Sequence, residues 1–189
     1  MFSLYKYFKK PHFFKPNENK DIIYTRIPDN NIFNLFFIMR YFIRFFASFI
    51  PPIGFKSFLY SITGVNTGKN TFIGESVYFI DGFNDDLIFL EDESVLSPKV
   101  ILVAMAQPGK SFLQYEYSVV KTGRIIIGKG AWIGAGAVIL PGISIGKGAI
   151  VGANTVVTNN IPDYECWGGN PAKYIKSVKD FSKSDKKIE

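Results

Sequence analysis

Between Ile127 and Pro162 the chain repeats every six residues, and every unit opens on an aliphatic side chain: Ile127, Ile133, Ile139, Ile145, Val151 and Val157. A hexapeptide period without interruption points to a parallel β-helix. Within the units, Ala131 and Ile133, Ala137 and Ile139, Ile143 and Ile145, Ala149 and Val151, and Thr155 and Val157 stand two apart. Residues two apart on a strand share a face, so these pairs form the interior. Positions 128, 130, 134, 136, 142, 146, 148, 152 and 154 hold glycine, or asparagine at 154, and supply the permissive backbone that a corner every six residues requires. A helix through the same stretch would lose about 1 kcal/mol at each glycine relative to alanine. Three flat faces close a triangular coil of eighteen residues, so 127–144 is one coil and 145–162 the next.

A chain of 189 residues with 47% apolar content can bury one solenoid core. The single cysteine, Cys166, excludes an internal disulfide, and no Cys/His cluster has metal-ligand spacing. Both fit a reducing cytoplasm and a protein without a metal. His12 is the only histidine. Residues 1–62 hold nine Lys/Arg and three Asp/Glu, a net of 9 − 3 = +6, whereas 63–189 hold thirteen of each. The whole positive excess therefore lies in the first third, a basic surface suited to an anionic partner. No nucleic-acid motif accompanies it.

Residues 1–20 mix Phe, Tyr and Lys without the apolar run or small-residue cleavage site of a signal peptide. Residues 32–50 are the next coherent element, with twelve Phe, Ile or Leu among nineteen and a stop before Pro51-Pro52. Arg40, Arg44, Ala47 and Ser48 fall on one narrow helical stripe. Two arginines near the centre oppose a membrane span. The segment is expected either to lie in the headgroup plane of a membrane or to pack on the end of the solenoid or on a neighbouring subunit. A second short helix is expected over 55–62. The solenoid is expected to start irregularly, with Val65, Ile73, Phe79, Phe89, Val95 and Ile101 opening units, two extra residues before Ile73 and four more around 84–86. The acidic run at Asp85, Asp86, Glu91, Asp92 and Glu93 reads as a solvated edge. The period breaks between Gln107 and Gly123, and a long excursion from a rigid scaffold is where function concentrates. A short helix is expected after Lys173, and the lysine-rich 179–189 reads as a disordered tail. The division is thus a basic helical segment over 1–62, a repeat domain over 63–178 and the tail.

Two motifs, Ile133-Gly-Ala-Gly-Ala-Val-Ile-Leu-Pro-Gly142 and Gly169-Asn-Pro-Ala-Lys173, make residues 60–178 resemble the hexapeptide-repeat acyltransferases, in the branch that acetylates sugars of capsules and O-antigens. The resemblance implies an all-β solenoid whose coil is left-handed, against the usual crossover rule, with an N-terminal helical segment. It also implies a homotrimer with active sites between neighbours, acetyl-CoA as acyl donor along the coil edge, and a sugar or glycan acceptor. Carried over by motif, donor contacts fall on Ala135, Ala153, Thr158, Asn159, Lys173 and Lys176. Small residues admit pantetheine to the backbone, and lysines meet phosphate as point charges. For Ala135 and Ala153 the alternative is simple steric fit in tight coils, and for Trp132 and Trp167 it is cover for the coil edges.

The family's catalytic histidine stands in a segment that resembles 101–109 here, and its place is taken by Ala104, Met105, Ala106 or Gln107, with Met105 the best match. None of these accepts a proton. Three readings follow: an O-acetyltransferase with a surrogate base, for which Glu116 is the nearby carboxylate; an N-acyltransferase, whose amine is nucleophilic when neutral; or a non-catalytic β-helix that binds a sugar, a partner or a membrane.

Overall fold

The computed structural model describes residues 35–51, 54–82, 84–109, 111–117 and 119–181. The repeat stretch forms a parallel β-helix with three sheets as its faces. Face 1 stacks Asn66–Thr67, Ile88–Leu90, Ile125–Ile127 and Ser144–Ile145. Face 2 stacks Phe72–Ile73, Val95–Leu96, Trp132–Ile133, Ile150–Val151 and Glu165–Gly168. Face 3 stacks Tyr78–Ile80, Ile101–Val103, Val138–Ile139 and Val156–Val157. The partner of Ile126 is Ser144, and that of Trp132 is Ile150, so one coil is 144 − 126 = 150 − 132 = 18 residues. Every inward pair read from the sequence, from Ala131 and Ile133 to Thr155 and Val157, is buried.

The early coils keep the same register where the sequence suggested irregularity. Leu90, Leu96 and Leu102 stand over Ile127, Ile133 and Ile139, and Thr67, Ile73 and Phe79 stand over those leucines. Thr67, not Val65, opens its unit, and Leu90, Leu96 and Leu102 replace Phe89, Val95 and Ile101. No extra residues precede Ile73. From Phe79 to Leu90 is eleven residues, five more than one unit, and from Leu102 to Ile127 is twenty-five, nineteen more. All the irregularity is confined to these two excursions. Both leave from the corner that follows face 3.

Two helices close the start of the coil. α1 spans Leu35–Phe49 and α2 spans Gly54–Ser61; residues 32–34 of the expected first helix lie outside the described residues. The arginine stripe of α1 packs on the solenoid. Arg44 makes a two-pronged pair with the buried carboxylate of Asp81, both N···O distances being 2.8 Å, and donates to Thr63 Oγ1 and the Thr63 carbonyl. Arg40 donates to Asp85 at 2.8 Å. In α2, the buried Lys56 Nζ donates to the Gly74 carbonyl at 2.7 Å, and burial lowers its pKa against the opposing pull of Glu75. Tyr60 packs on Phe79 with ring centroids 4.8 Å apart. The far end departs from expectation: Lys173–Ser177 is a strand antiparallel to Glu165–Gly168, followed by a single 3₁₀ turn, Val178–Asp180. The free edge of face 2 is there to be paired, and an extended segment satisfies it where a helix could not. Among the described residues no helix is long and apolar enough to cross a membrane.

Two glycines separate the two demands of the coil. A Cβ on Gly134 would sit 2.6 Å from the Ala153 nitrogen of the next coil, whereas at Gly130 the backbone has φ +64° and a Cβ meets nothing within 4 Å. Gly134→Ala is expected to cost about 3 kcal/mol through overpacking and Gly130→Ala about 1 kcal/mol through backbone strain, read from urea unfolding midpoints. Tyr60 offers a second test, because its buried hydroxyl has no hydrogen-bond partner among the described residues. Burial pushes its pKa up to about 12, against the nearby Arg44. A raised folded pKa means that the unfolded chain loses this proton first, so stability falls as pH climbs from 10 towards 12. Tyr60→Phe should remove that alkaline loss and add about 1 kcal/mol at neutral pH.

Candidate functional site

The longer excursion leaves the coil as a two-stranded stem in which Met105–Ala106 pairs antiparallel with Lys121–Thr122. Ala104 remains part of the wall: it is fully buried, its nitrogen donates to the Ile80 carbonyl and its carbonyl accepts from Gly123. Of the four positions aligned with the missing histidine, Met105 and Ala106 stand on the stem and Gln107 just beyond it. Above the stem the chain forms a short helix α3, Phe112–Tyr117. Glu116 is exposed on it and makes no hydrogen bond or ion pair with another described residue.

The smaller excursion touches Met105. Asn84 Nδ2 lies 3.9 Å from the Met105 sulfur, and a Cβ on Gly82 would come within 2.8 Å of it. Asn84 in turn donates, through both its backbone nitrogen and Nδ2, to the Asp81 carbonyl. Asp81 is the acid held by Arg44 of α1. Helix α1, the Asp81–Asn84 turn and Met105 therefore form one contact chain at the corner after face 3. Sequence reasoning missed Asn84 and Asp81. Arg44 was legible as part of a narrow polar stripe, but twenty-one residues and an irregular turn separate Asn84 from Met105.

The residues expected to meet an acyl donor divide between two edges. Ala135 and Ala153 are exposed at the corner before face 3, on adjacent coils, and the Asn154 nitrogen donates to the Ala135 carbonyl at 2.8 Å. Gly152, beside Ala153, bonds to the Trp167 carbonyl, and Lys173 pairs with the next residue, Gly168. Ala135, Ala153 and the exposed Lys173 thus belong to one strip. Lys176 stands away from it, its Nζ 3.5 Å from the centroid of Phe181. Thr158 and Asn159 are exposed at the other edge, after Val156–Val157, with Asn159 Nδ2 donating to Thr158 Oγ1. That is the Met105 corner, two coils further along, which at about 4.8 Å per coil is roughly 10 Å. Trp132 is half exposed on face 2 and donates to Ser97 Oγ, whereas Trp167 is partly covered, donates to Glu165 and meets Tyr174 edge-on.

In a single protomer Ala135 and Met105 cannot meet. The coil partner of Ala135 is Pro98, whose carbonyl accepts from Gly136, and Met105 lies seven residues beyond Pro98, across the width of face 3. Among the described residues no group of three or more His, Cys, Asp or Glu could hold a metal ion.

Residues 124–159 match the family model for bacterial transferase hexapeptide, six repeats. The chain is 30% identical over 166 residues to "Putative acetyltransferase YvoF" of Bacillus subtilis, covering 87% of this chain and 88% of that one. Among solved structures it superposes on a hexapeptide-repeat acetyltransferase of Vibrio cholerae complexed with acetyl coenzyme A, with TM-score 0.62, 17% identity and coverage of 80% and 92%. A galactoside acetyltransferase in complex with coenzyme A gives TM-score 0.59 at 23% identity, with coverage of 77% and 82%. The chain belongs to the hexapeptide-repeat acyltransferases.

The Arg44–Asp81 pair makes this corner testable. Arg44→Met removes the guanidinium that pairs with the buried Asp81 carboxylate and is expected to cost about 3 to 5 kcal/mol, whereas Arg44→Met combined with Asp81→Leu should recover most of that loss in thermal unfolding.

Proposed function

We propose that this protein transfers an acetyl group from acetyl-CoA to a sugar of a surface polysaccharide or its precursor, at a site shared between the subunits of a homotrimer of left-handed coils. The observation that carries the reading is the strip at the corner before face 3. Ala135 and Ala153 present only methyl groups there, so an extended thioester could lie against the backbone, and Lys173 closes the strip with an exposed ammonium suited to phosphate. The residues present therefore fit the donor. Acetyl-CoA would supply the activated acyl group; the chain would supply the strip, a phosphate contact and, from the opposite edge, the Met105 corner. Thr158 and Asn159 on that second edge would contact the donor from a neighbouring copy. Two structural neighbours, one complexed with acetyl coenzyme A and one a galactoside acetyltransferase with coenzyme A, support donor and acceptor class. The single buried cysteine fits a cytoplasmic setting.

The division of the site supports an assembly of subunits, and the family resemblance makes that assembly a trimer. One protomer holds strip and Met105 corner on opposite edges of face 3, so a complete site needs a second copy. Face 3 also turns an apolar column outward, Tyr78, Ile101, Val138 and Val156, which a neighbour would cover. Sedimentation should give a trimer at micromolar concentration; a monomer under those conditions contradicts the shared site.

The composition of the Met105 corner favours an amine as acceptor. Met105 touches Gly82 and Asn84, neither of which takes a proton, and the Asp81 carboxylate behind them is already held by Arg44. A positioned general base contributes roughly 10² to 10⁴ in rate, and a neutral amine loses least by its absence. Acetyl transfer by the native protein is expected to favour amino sugars over their hydroxyl counterparts. Met105→His should raise transfer to hydroxyls, while Glu116→Gln should leave it unchanged. If Glu116→Gln abolishes hydroxyl transfer, Glu116 is the surrogate base and the amine preference loses its foundation. Calorimetry should show coenzyme A binding whether or not turnover is seen, and absence of binding at millimolar coenzyme A would leave a non-catalytic scaffold.

A further inference from the structure

Helix α1 is built inside out. Its two charged residues, Arg40 and Arg44, turn inward onto Asp85 and Asp81. Its outward side is Met39, Tyr41, Phe42, Phe45, Phe46 and Phe49, all about half exposed or more. At 100° per residue these six fill an arc of roughly 160° with no charged side chain. Phe45 and Phe49 meet edge-on at 5.3 Å. The adjoining α2 sends its one lysine into the protein and extends the surface with Phe55 and Phe58, stacked at 6.1 Å. A helix that spends its arginines on the interior and shows phenylalanine outward is not arranged to face water.

We propose that this aromatic face of α1 and α2 seats the protein on an anionic lipid bilayer. Charge decides between lipid and a second copy. Residues 1–34 run directly into α1 and carry six Lys/Arg against three Asp/Glu, a net of 6 − 3 = +3, interleaved with eight Phe or Tyr. The basic residues of 35–62 are Arg40, Arg44 and Lys56, and all three are engaged inside the fold. The solenoid from 63 onward is neutral, with thirteen charges of each sign. A second copy would therefore bring a like-charged +3 segment, and its acidic run is already met within its own fold, Asp85 by Arg40, Asp92 by the Lys69 N–H, Glu91 by the Lys129 N–H and Glu93 by the Lys129 ammonium. An anionic membrane offers both the apolar layer and the charge, each basic residue near it strengthening partition by about fivefold. With fifteen residues, α1 is about 22 Å long and lies along the surface. The arginines that face away from the lipid bind the turn that touches Met105, which sets the Met105 corner beside the bilayer.

Flotation of the full-length protein with phosphatidylcholine vesicles, with and without phosphatidylglycerol, tests this. Binding should be at least about tenfold tighter to the phosphatidylglycerol vesicles and weaken as salt is raised. Phe46→Gln with Phe49→Gln, at positions 62% and 72% exposed, should reduce partition at least about tenfold while circular dichroism and sedimentation stay unchanged. The proposal is overturned if the native chain stays unbound, as it would with residues 1–34 covering the patch. It is overturned equally if the double variant floats like the native protein, if binding ignores lipid charge, or if the variant's loss is of subunit assembly, which makes a second copy the occupant.

Discussion

No coil of this protein can satisfy its own backbone. The strand donors of one turn reach the acceptors of the next, as Trp132 to Ala149 and Gly134 to Val151 show at 2.8 Å each, and corner donors such as Gly148 and Asn154 reach back to the turn before, so every coil must repeat the length of its neighbour. That constraint fixes the eighteen-residue register, forces a small residue wherever backbones nearly touch, and aligns the corners into straight edges. Any segment that does not fit the count must leave the coil entirely. Both excursions do so at one corner, and they bring Asn84 to Met105 there.

The same constraint divides the proposed site. Straight edges hold Ala135 and Ala153 in one line and Met105 in another, with a rigid face between them. Backbone that is hydrogen-bonded on both sides does not bend to bring them together. A second copy is the economical way to complete the arrangement, and the apolar column of face 3 gives it somewhere to sit. The opening end needs closing as well, because the first coil has no predecessor. Helices α1 and α2 do this through buried polar anchors, Arg44 on Asp81 and Lys56 on the Gly74 carbonyl.

Much of this was legible where glycine marks the corners. The stretch 127–162 announces fold, interior and coil length at once. The early coils turn the same corners on Asn70, Ser76, Glu93 and Lys99, all at positive φ, and side chains there disguise the period; Thr67, a polar residue opening a unit, shifted the reading by two positions. The excursion around Met105 was visible as a loss of period, but its contact with Asn84 depends on which corner each loop leaves from, and that follows only once the register is known. The arginine stripe was visible too. Whether it faced lipid or protein was undecidable until Asp81 and Asp85 were placed by the turn that carries them.

The central claim is a site made by two copies, with the donor strip of one against the Met105 corner of the next. A crystal structure of the protein with coenzyme A tests it most directly. The account predicts pantetheine along Ala135 and Ala153 of one subunit, phosphate near Lys173, and the thiol directed at Met105 of a neighbour. Coenzyme A seated wholly within one protomer, or a thiol directed away from every Met105, would contradict it.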